Sequence, residues 1–348
     1  MNKLLSLSMI VKDEEARLPS CLQSVDGLVD EIIIVDTGST DSTVSIAQSF
    51  GAKIYHFPWI QDFAAARNEA LKHCTGKWIL YLDADETIAE TSKNNIRSFL
   101  ESQNESVGGI VCTIVSKHRH IGSTGTETHK GGYPRIFKNL GFPTVKFSGR
   151  VHEQITPALF KAGKTLVHSQ FEIVHFGYDQ VPEIMQQKIK RNYTLLLQHV
   201  QEEPQNSYAW FQLGQTLAQM SLWKEAEDAL HFSLSLGSLS PSVSASANAA
   251  MAQICGNSKR FSDAVQYAEK SLESAPTQIY AKHLKAYALL YLDRFEESQE
   301  LFDKLLLLLS QRNSSVPMTG FDVEVPIQTI YDGLELLKQR KLLSTKTK

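Results

Sequence analysis

Through residue 90, apolar positions fall in short runs separated by stretches of helical period. Leu4–Val11 is apolar and punctuated by serine, which predicts a first strand. A polar stretch carrying Pro19 follows, then a helix to about Val25. Glu31–Val35 is a near-continuous β-branched run, the pattern of a strand covered on both faces in a parallel sheet. The turn Asp36–Asp41 leads into a helical stretch ending near Phe50, and Ala52–Tyr55 is a third strand. Phe63–His73, with Ala64, Ala65, Ala66 and Ala70, predicts a helix, and Trp78–Leu82 a fourth strand. Strand–helix alternation of this kind predicts an α/β sheet of the doubly wound sort.

The pattern changes after residue 107. Strands are expected at Gly109–Val115, Pro134–Phe137, Lys146–Phe147 and Phe171–His175, with Thr113–Gly132 as a polar loop serving as a lid. Pro182 opens a long helix to about Glu202, followed by Pro204. From Ser207 the chain is helical and repetitive. The small residues Ala226, Ala264 and Ser298 occupy equivalent positions, 38 and then 34 residues apart (264 − 226; 298 − 264). Together with Trp210-x-x-Leu213-Gly214, that period resembles the tetratricopeptide repeat. The longer first interval is assigned to an enlarged loop at Gly237–Ser242, and Ile327–Leu343 is expected to cap the array. The boundaries are thus 1–180 for an α/β domain, 181–206 for a linking helix and 207–348 for an all-α repeat domain.

Composition narrows the class. Hydrophobic residues make up 42% and charged residues 21%, an ordinary globular balance over 348 residues. The net charge of −3 provides no basic field for nucleic acid. No apolar run approaches the ~18 residues of a membrane span, and the start of the chain lacks the apolar core of a signal peptide. The four cysteines are dispersed, without a CxxC pair, as for thiols in a reducing compartment. A cytoplasmic location is the expectation.

Three charged clusters, Lys12–Glu15, Asp36–Asp41 and Asp83–Glu86, all fall where strands end. In an open α/β sheet that edge is where ligands bind. Asp83-Ala84-Asp85 sets two carboxylates one residue apart, hard oxygen donors for Mg²⁺ or Mn²⁺, although a solvated turn has the same composition. Asp36 can accept from a base N–H or a ribose hydroxyl, whereas Ser39 and Asp41 also suit capping of the next helix. Arg67 can reach a nucleotide or pair with Asp62 or Glu69 on its own surface.

These elements together resemble the family-2 glycosyltransferases of the GT-A fold. The matching residues are Met9–Glu15, Glu31–Asp41, Ala66-Arg67-Asn68 and Leu82–Glu86, in order and spacing. Pro134–Phe137, Phe147–Glu153 and Val174–Tyr178 extend the match toward the sublancin-type peptide S-glycosyltransferase subgroup and toward lipopolysaccharide-core glucosyltransferases. The resemblance implies a Rossmann-like, mostly parallel sheet and an inverting, metal-dependent transfer from a nucleotide-sugar, by family habit a UDP-sugar. It implies nucleotide-sugar contacts at Val11, Glu14, Asp36, Ser39, Arg67, Asp83 and Ala84. Asp85 would bind the metal, Mg²⁺ or Mn²⁺, with His175 as a later ligand; a structural histidine is the alternative at that position. Glu153 would be the base, with His152 taking the proton or orienting it; a surface ion pair between Glu153 and Arg150 is the alternative.

Repeat arrays suit extended partners, so a peptide or protein acceptor is expected, with a surface polysaccharide or lipid-linked glycan as the second choice. The repeat domain also offers a surface for homo-oligomers. A nucleotidyltransferase would need a glycine-rich basic loop where Lys12-Asp13-Glu14-Glu15 stands. A non-catalytic repeat scaffold with a degenerate sugar-nucleotide domain is the rival outside enzymes; Asp83, Asp85 and Glu153 argue against it.

Overall fold

Alternate residues of the first strand serve two different faces, and the whole N-terminal architecture follows from that. In the computed structural model, which describes residues 3–119, 126–176, 182–310, 323 and 325–346, β1 (Leu5–Val11) buries Leu5, Leu7, Met9 and Val11 in one core cluster. Ser6 and Ser8 face the other way and are also buried. Next come α1 (Leu18–Ser24), β2 (Glu31–Asp36), α2 (Thr43–Ser49), β3 (Lys53–His56), α3 (Phe63–His73) and β4 (Trp78–Tyr81). Ile34, Trp78 and Leu80 join the first cluster with Leu18 and Leu22 of α1. Ile33, Val35 and Ile79 join a second cluster with Ala64, Ala70 and Leu71 of α3. Helices therefore cover both faces, which is why Ile32–Val35 and Trp78–Leu80 are apolar without alternation and why Ser6 and Ser8 of β1 are buried as well.

The remaining elements of this part are β5 (Glu86–Ile88), α4 (Glu90–Glu101), β6 (Val107–Arg119), β7 (Thr126–Lys138), α5 (Thr156–Lys161) and β8 (Thr165–His175). All eight strands form one sheet in the order β3-β2-β1-β4-β7-β6-β8-β5. Pairs β1–β2, β1–β4, β2–β3 and β6–β8 are parallel; β4–β7, β6–β7 and β5–β8 are antiparallel. This is the mostly parallel, Rossmann-like sheet of the GT-A fold.

Three expectations for this part of the chain need correction. The polar stretch at Thr113–Gly132 is no loop over its described part: Thr113–Arg119 and Thr126–Gly132 pair as antiparallel arms, from Thr113↔Gly132 to Arg119↔Thr126. Residues 120–125 of that expected lid lie outside the described residues. A ladder satisfies its backbone groups whatever the polarity of its side chains, so composition alone misreads it. Lys146–Phe147 is not a strand; only a single bridge, Ser148↔Gln154, forms nearby. Phe147 is instead held as a buried plug of the second core cluster. The strand expected at Phe171–His175 starts earlier, at Thr165, alongside β6.

The chain divides into two units, Met1–Lys188 and Ile189–Lys348, with the boundary inside α6 (Pro182–Glu202). Beyond it run α7 (Ser207–Gln219), α8 (Trp223–Ser235), α9 (Pro241–Asn257), α10 (Phe261–Ser274), α11 (Ile279–Tyr291), α12 (Phe295–Ser310) and α13 (Ile327–Lys346). The tetratricopeptide-like period is visible in the backbone. Ser221, Lys259 and Asp293 each sit at φ near 60° in the turn between paired helices. Ala226, Ala264 and Ser298 are buried at the crossings. Ser233 Oγ donates to the Ser207 carbonyl and Ser271 Oγ to that of Ala245, the same bond one repeat apart. The longer interval does not come from the loop at Gly237–Ser242. It is an extra turn at the start of α9, which has 17 residues against 13 in α7 and α11. The reason is local: Ser240 caps the helix and Pro241 opens it. α13 packs on α12 through Phe302, Leu305, Ile330 and Leu337, as a cap should.

Candidate active site

The loops after β1 and β2 are laced together. Asp13 N donates to Ser39 Oγ at 3.0 Å, and Thr40 N donates to Asp13 Oδ1 at 2.7 Å. Glu15 N donates to Asp41 Oδ2 at 3.1 Å, and Glu14 N to Thr43 Oγ1 at 2.7 Å. Ser39 thus binds the neighbouring loop, whereas Asp41 does so and also caps α2: its Oδ1 accepts the N–H of Thr43, the first helical residue, at 2.9 Å. Asp36 is buried at the end of β2 and accepts from the N–H groups of Gly38 (3.2 Å) and Ser39 (3.1 Å). His56 Nδ1 lies 3.4 Å from its Oδ2. Glu14 sits with Arg17 at 3.5 Å; burial, opposed by Arg17 and reinforced by Asp85, raises its carboxyl above the ordinary value. Val11 and Ala84 are buried in the core, so neither side chain is open to a ligand.

Arg67 is the hub. It lies on α3, buried, neither facing Asp62 nor Glu69: Asp62 caps α3 through Ala65 N, and Glu69 pairs with Lys72 and His73. Its Nη2 donates to Asp83 Oδ1 at 2.7 Å and its Nε bonds Glu153 Oε1. The guanidinium carbon is 5.0 Å from the Tyr81 ring centroid and 5.7 Å from that of Phe147. Glu153 therefore pairs with Arg67 and not with Arg150, which reaches the Gln61 carbonyl at 3.2 Å. Beside Glu153, His152 takes φ 55° in the left-handed region. Asn68 grips the same segment, bonding the N–H and C=O of Phe147.

A second set meets the same carboxylate. Arg135 on β7 donates from Nη2 to Glu86 Oε1 at 2.6 Å and brings Nη1 to 3.9 Å from Asp83 Oδ2. Glu86 Oε2 accepts the Asp83 N–H at 3.0 Å. Burial would raise the Asp83 carboxyl, but Arg67 and Arg135 outweigh it and hold it below the ordinary range. Burial dominates at Glu86 and raises it, even against Arg135. The Asp83 side chain remains 42% exposed, the most open carboxylate of the group.

Asp85 faces elsewhere. Its Oδ2 lies 3.4 Å from His175 Nε2, and Ser116 Oγ meets His175 Nδ1 at 3.2 Å. Burial lowers the His175 pKa, but bonding to Asp85 and its charge raise it overall. Among the described residues no group of three or more His, Cys, Asp or Glu is set to hold a metal. One oxygen and one nitrogen donor, with phosphate oxygens and waters completing the shell, still suit Mg²⁺ or Mn²⁺. The contact between Ser116 and Nδ1 leaves Nε2 directed to Asp85, as metal-binding histidines are oriented.

Tyr81, Glu86, Ser116 and Arg135 were not among the site residues expected from sequence. Arg135 and Glu86 offered a signal as parts of matching segments, Pro134–Phe137 and Leu82–Glu86; Tyr81 and Ser116 become visible through strand register, such as Ser8↔Tyr81 and Ser116↔His175.

Residues 6–151 match the family described as Glycosyl transferase family 2. The chain is 34% identical over 251 residues to a TPR repeat-containing protein of Synechococcus elongatus, covering 68% of this chain and 58% of that protein. It is 28% identical over 233 residues to the SPbeta prophage-derived glycosyltransferase SunS of Bacillus subtilis, covering 66% and 53%. It therefore spans only about half the length of these curated relatives. The solved structure of S. aureus TarS 1-349 aligns over 88% of this chain and 91% of that one, at 13% identity and a TM-score of 0.38; at that level the fold rests on the strand order above. Among the described residues no helix is long and apolar enough to cross a membrane.

Proposed function

Because residues 6–151 form a glycosyl transferase family 2 domain, we propose that this chain moves a sugar from a UDP-sugar to an acceptor with inversion at the anomeric carbon. One observation carries the reading: Asp83, after β4, and Glu153, 70 positions later in sequence, are bridged by the single guanidinium of Arg67. A donor-side and an acceptor-side carboxylate are then held in fixed relation, as an in-line displacement requires.

In this reading Asp36 and Ser39 border the nucleoside, with Glu14 and the backbone of Val11 and Ala84 alongside. The exposed Asp83 carboxylate faces the ribose. Asp85 and His175 would hold Mg²⁺ or Mn²⁺. That ion would neutralise charge on the departing diphosphate. Arg67 occupies Oε1 of Glu153, and no donor is recorded on Oε2 among the described residues, so Oε2 is the atom to accept the acceptor proton. His152 flanks it as the orienting alternative. The helical repeats favour an extended peptide or protein acceptor.

The test is a screen of UDP-hexoses with and without Mn²⁺, read by mass spectrometry on peptide acceptors and by UDP release. Wild type should turn over at least one donor in a metal-dependent way, and Asp85→Ala should abolish it. Metal-dependent turnover that survives Asp85→Ala overturns the reading.

A further inference from the structure

Arg135 has a place in the site that its distance in sequence conceals. It belongs to β7, the antiparallel neighbour of β4, and so stands beside the strand that delivers Asp83. Its guanidinium carbon is 4.6 Å from the Tyr81 ring centroid, the ring that Arg67 also approaches. The two arginines divide the Asp83 carboxylate, Arg67 on Oδ1 at 2.7 Å and Arg135 near Oδ2 at 3.9 Å. Each is anchored by its own carboxylate, Glu153 for Arg67 and Glu86 for Arg135. Glu86 in turn accepts the Asp83 N–H. The result is a chain of contacts, Glu153–Arg67–Asp83–Arg135–Glu86, closed at one end onto the Asp83 backbone.

Arg135 also carries a cost. Its Nε–H is buried and finds no hydrogen-bond partner among the described residues. Such orphaned groups are unfavourable and call for a reason. Neutralising Glu86 alone needs one positive charge, which a lysine supplies without a buried Nε. Reaching Glu86 and Asp83 together needs a planar fork with separate donors.

We propose that Arg135 is a positioning residue of the transfer site, fixing the Asp83 carboxylate and, through Asp83 and Arg67, the position of Glu153. The inference rests on the donor-side and base roles given above to Asp83 and Glu153. If Arg135 serves only to neutralise Glu86, lysine replaces it.

The experiment compares wild type, Arg135→Lys and Arg135→Met/Glu86→Gln. The double variant removes both buried charges together, so that a folded protein is available even if Lys is tolerated poorly. Crystal structures report the carboxylate positions without requiring turnover, and thermal melts report folding. In folded Arg135→Lys the Asp83 and Glu153 carboxylates should shift, and kcat for metal-dependent donor turnover should fall 10- to 100-fold, with melting close to wild type. The double variant should show the same shift. Carboxylates that superpose on wild type in either folded variant overturn the inference. An inert wild type with shifted carboxylates in the variants would sink the transferase reading and leave the positioning inference standing.

Discussion

Asn68 meets the backbone of Phe147 with both ends of its amide: Nδ2 donates to the carbonyl at 3.0 Å and Oδ1 accepts the N–H at 2.8 Å. With Arg67 next to it on α3, one turn of helix thereby holds the segment 147–153 at two points. Each bond is worth about 1 kcal/mol, but misplacing a reacting group by a fraction of an ångström costs more in rate than in stability. Asn68→Ala should lower kcat about 10-fold or more while unfolding only a few degrees earlier. A variant with full kcat and the same loss of stability would show that the clamp serves folding alone.

Glu153→Gln keeps the size of the side chain and a hydrogen-bond acceptor for Arg67. It removes the proton acceptor. Turnover should drop on the order of 10²- to 10⁴-fold, with UDP affinity within about twofold of wild type. An equal loss of UDP binding and of turnover would place Glu153 on the donor side instead.

Glu31 anchors the opposite end of the sheet. Its carboxylate receives Lys3 Nζ at 2.5 Å, Ser6 Oγ at 2.7 Å and both Thr75 N (2.7 Å) and Oγ1 (2.8 Å). Burial alone would raise its pKa, but Lys3, Thr75 and Ser6 together lower it to about 2 from 4.5. A depressed carboxyl stabilises fully above its unfolded value of 4.5, and the contribution disappears as pH falls toward about 2. Glu31→Gln should cost about 2 kcal/mol near neutral pH and converge with wild type near pH 2 in denaturant melts. A difference that stays constant across that range would mean the charge is not the cause.

In the repeat unit, a Cβ on Gly214 would fall 2.6 Å from Leu230 Cγ and 3.2 Å from Leu230 N. That close approach is what lets α7 and α8 cross. Gly214→Ala should destabilise by about 1–3 kcal/mol by overpacking. Gly256, within α9, has open space where its Cβ would go, and Gly256→Ala should be neutral or stabilise by about 0.5–1 kcal/mol. Calorimetry of the two variants reads the contrast directly; equal effects would refute the crossing argument.

Much of the fold was legible locally. The runs at Leu4–Val11, Glu31–Val35 and Trp78–Leu82 announced strands because both faces of the sheet are covered. The array was legible because Ala226, Ala264 and Ser298 must be small where helices cross. Less was legible where polarity and structure part ways. The arms around Thr113 and Gly132 satisfy each other's backbone and so need no apolar signature. The extra turn of α9 hid behind a serine-rich stretch that resembled a loop.

By itself, the sequence determined the apolar strands and the repeat helices, and that acidic clusters stand at strand ends, since both depend on the period and chemistry of neighbouring residues. Only the tertiary structure decided the partners: that Arg67 holds Asp83 and Glu153, that Arg135 joins Asp83 to Glu86, and that His175 turns to Asp85. Those choices follow from strand order and register, in which β7 lies beside β4 and β8 beside β5. A charge on one strand selects its partner by distance in space, and that distance is the sum of every turn and pairing between them, which no local pattern encodes.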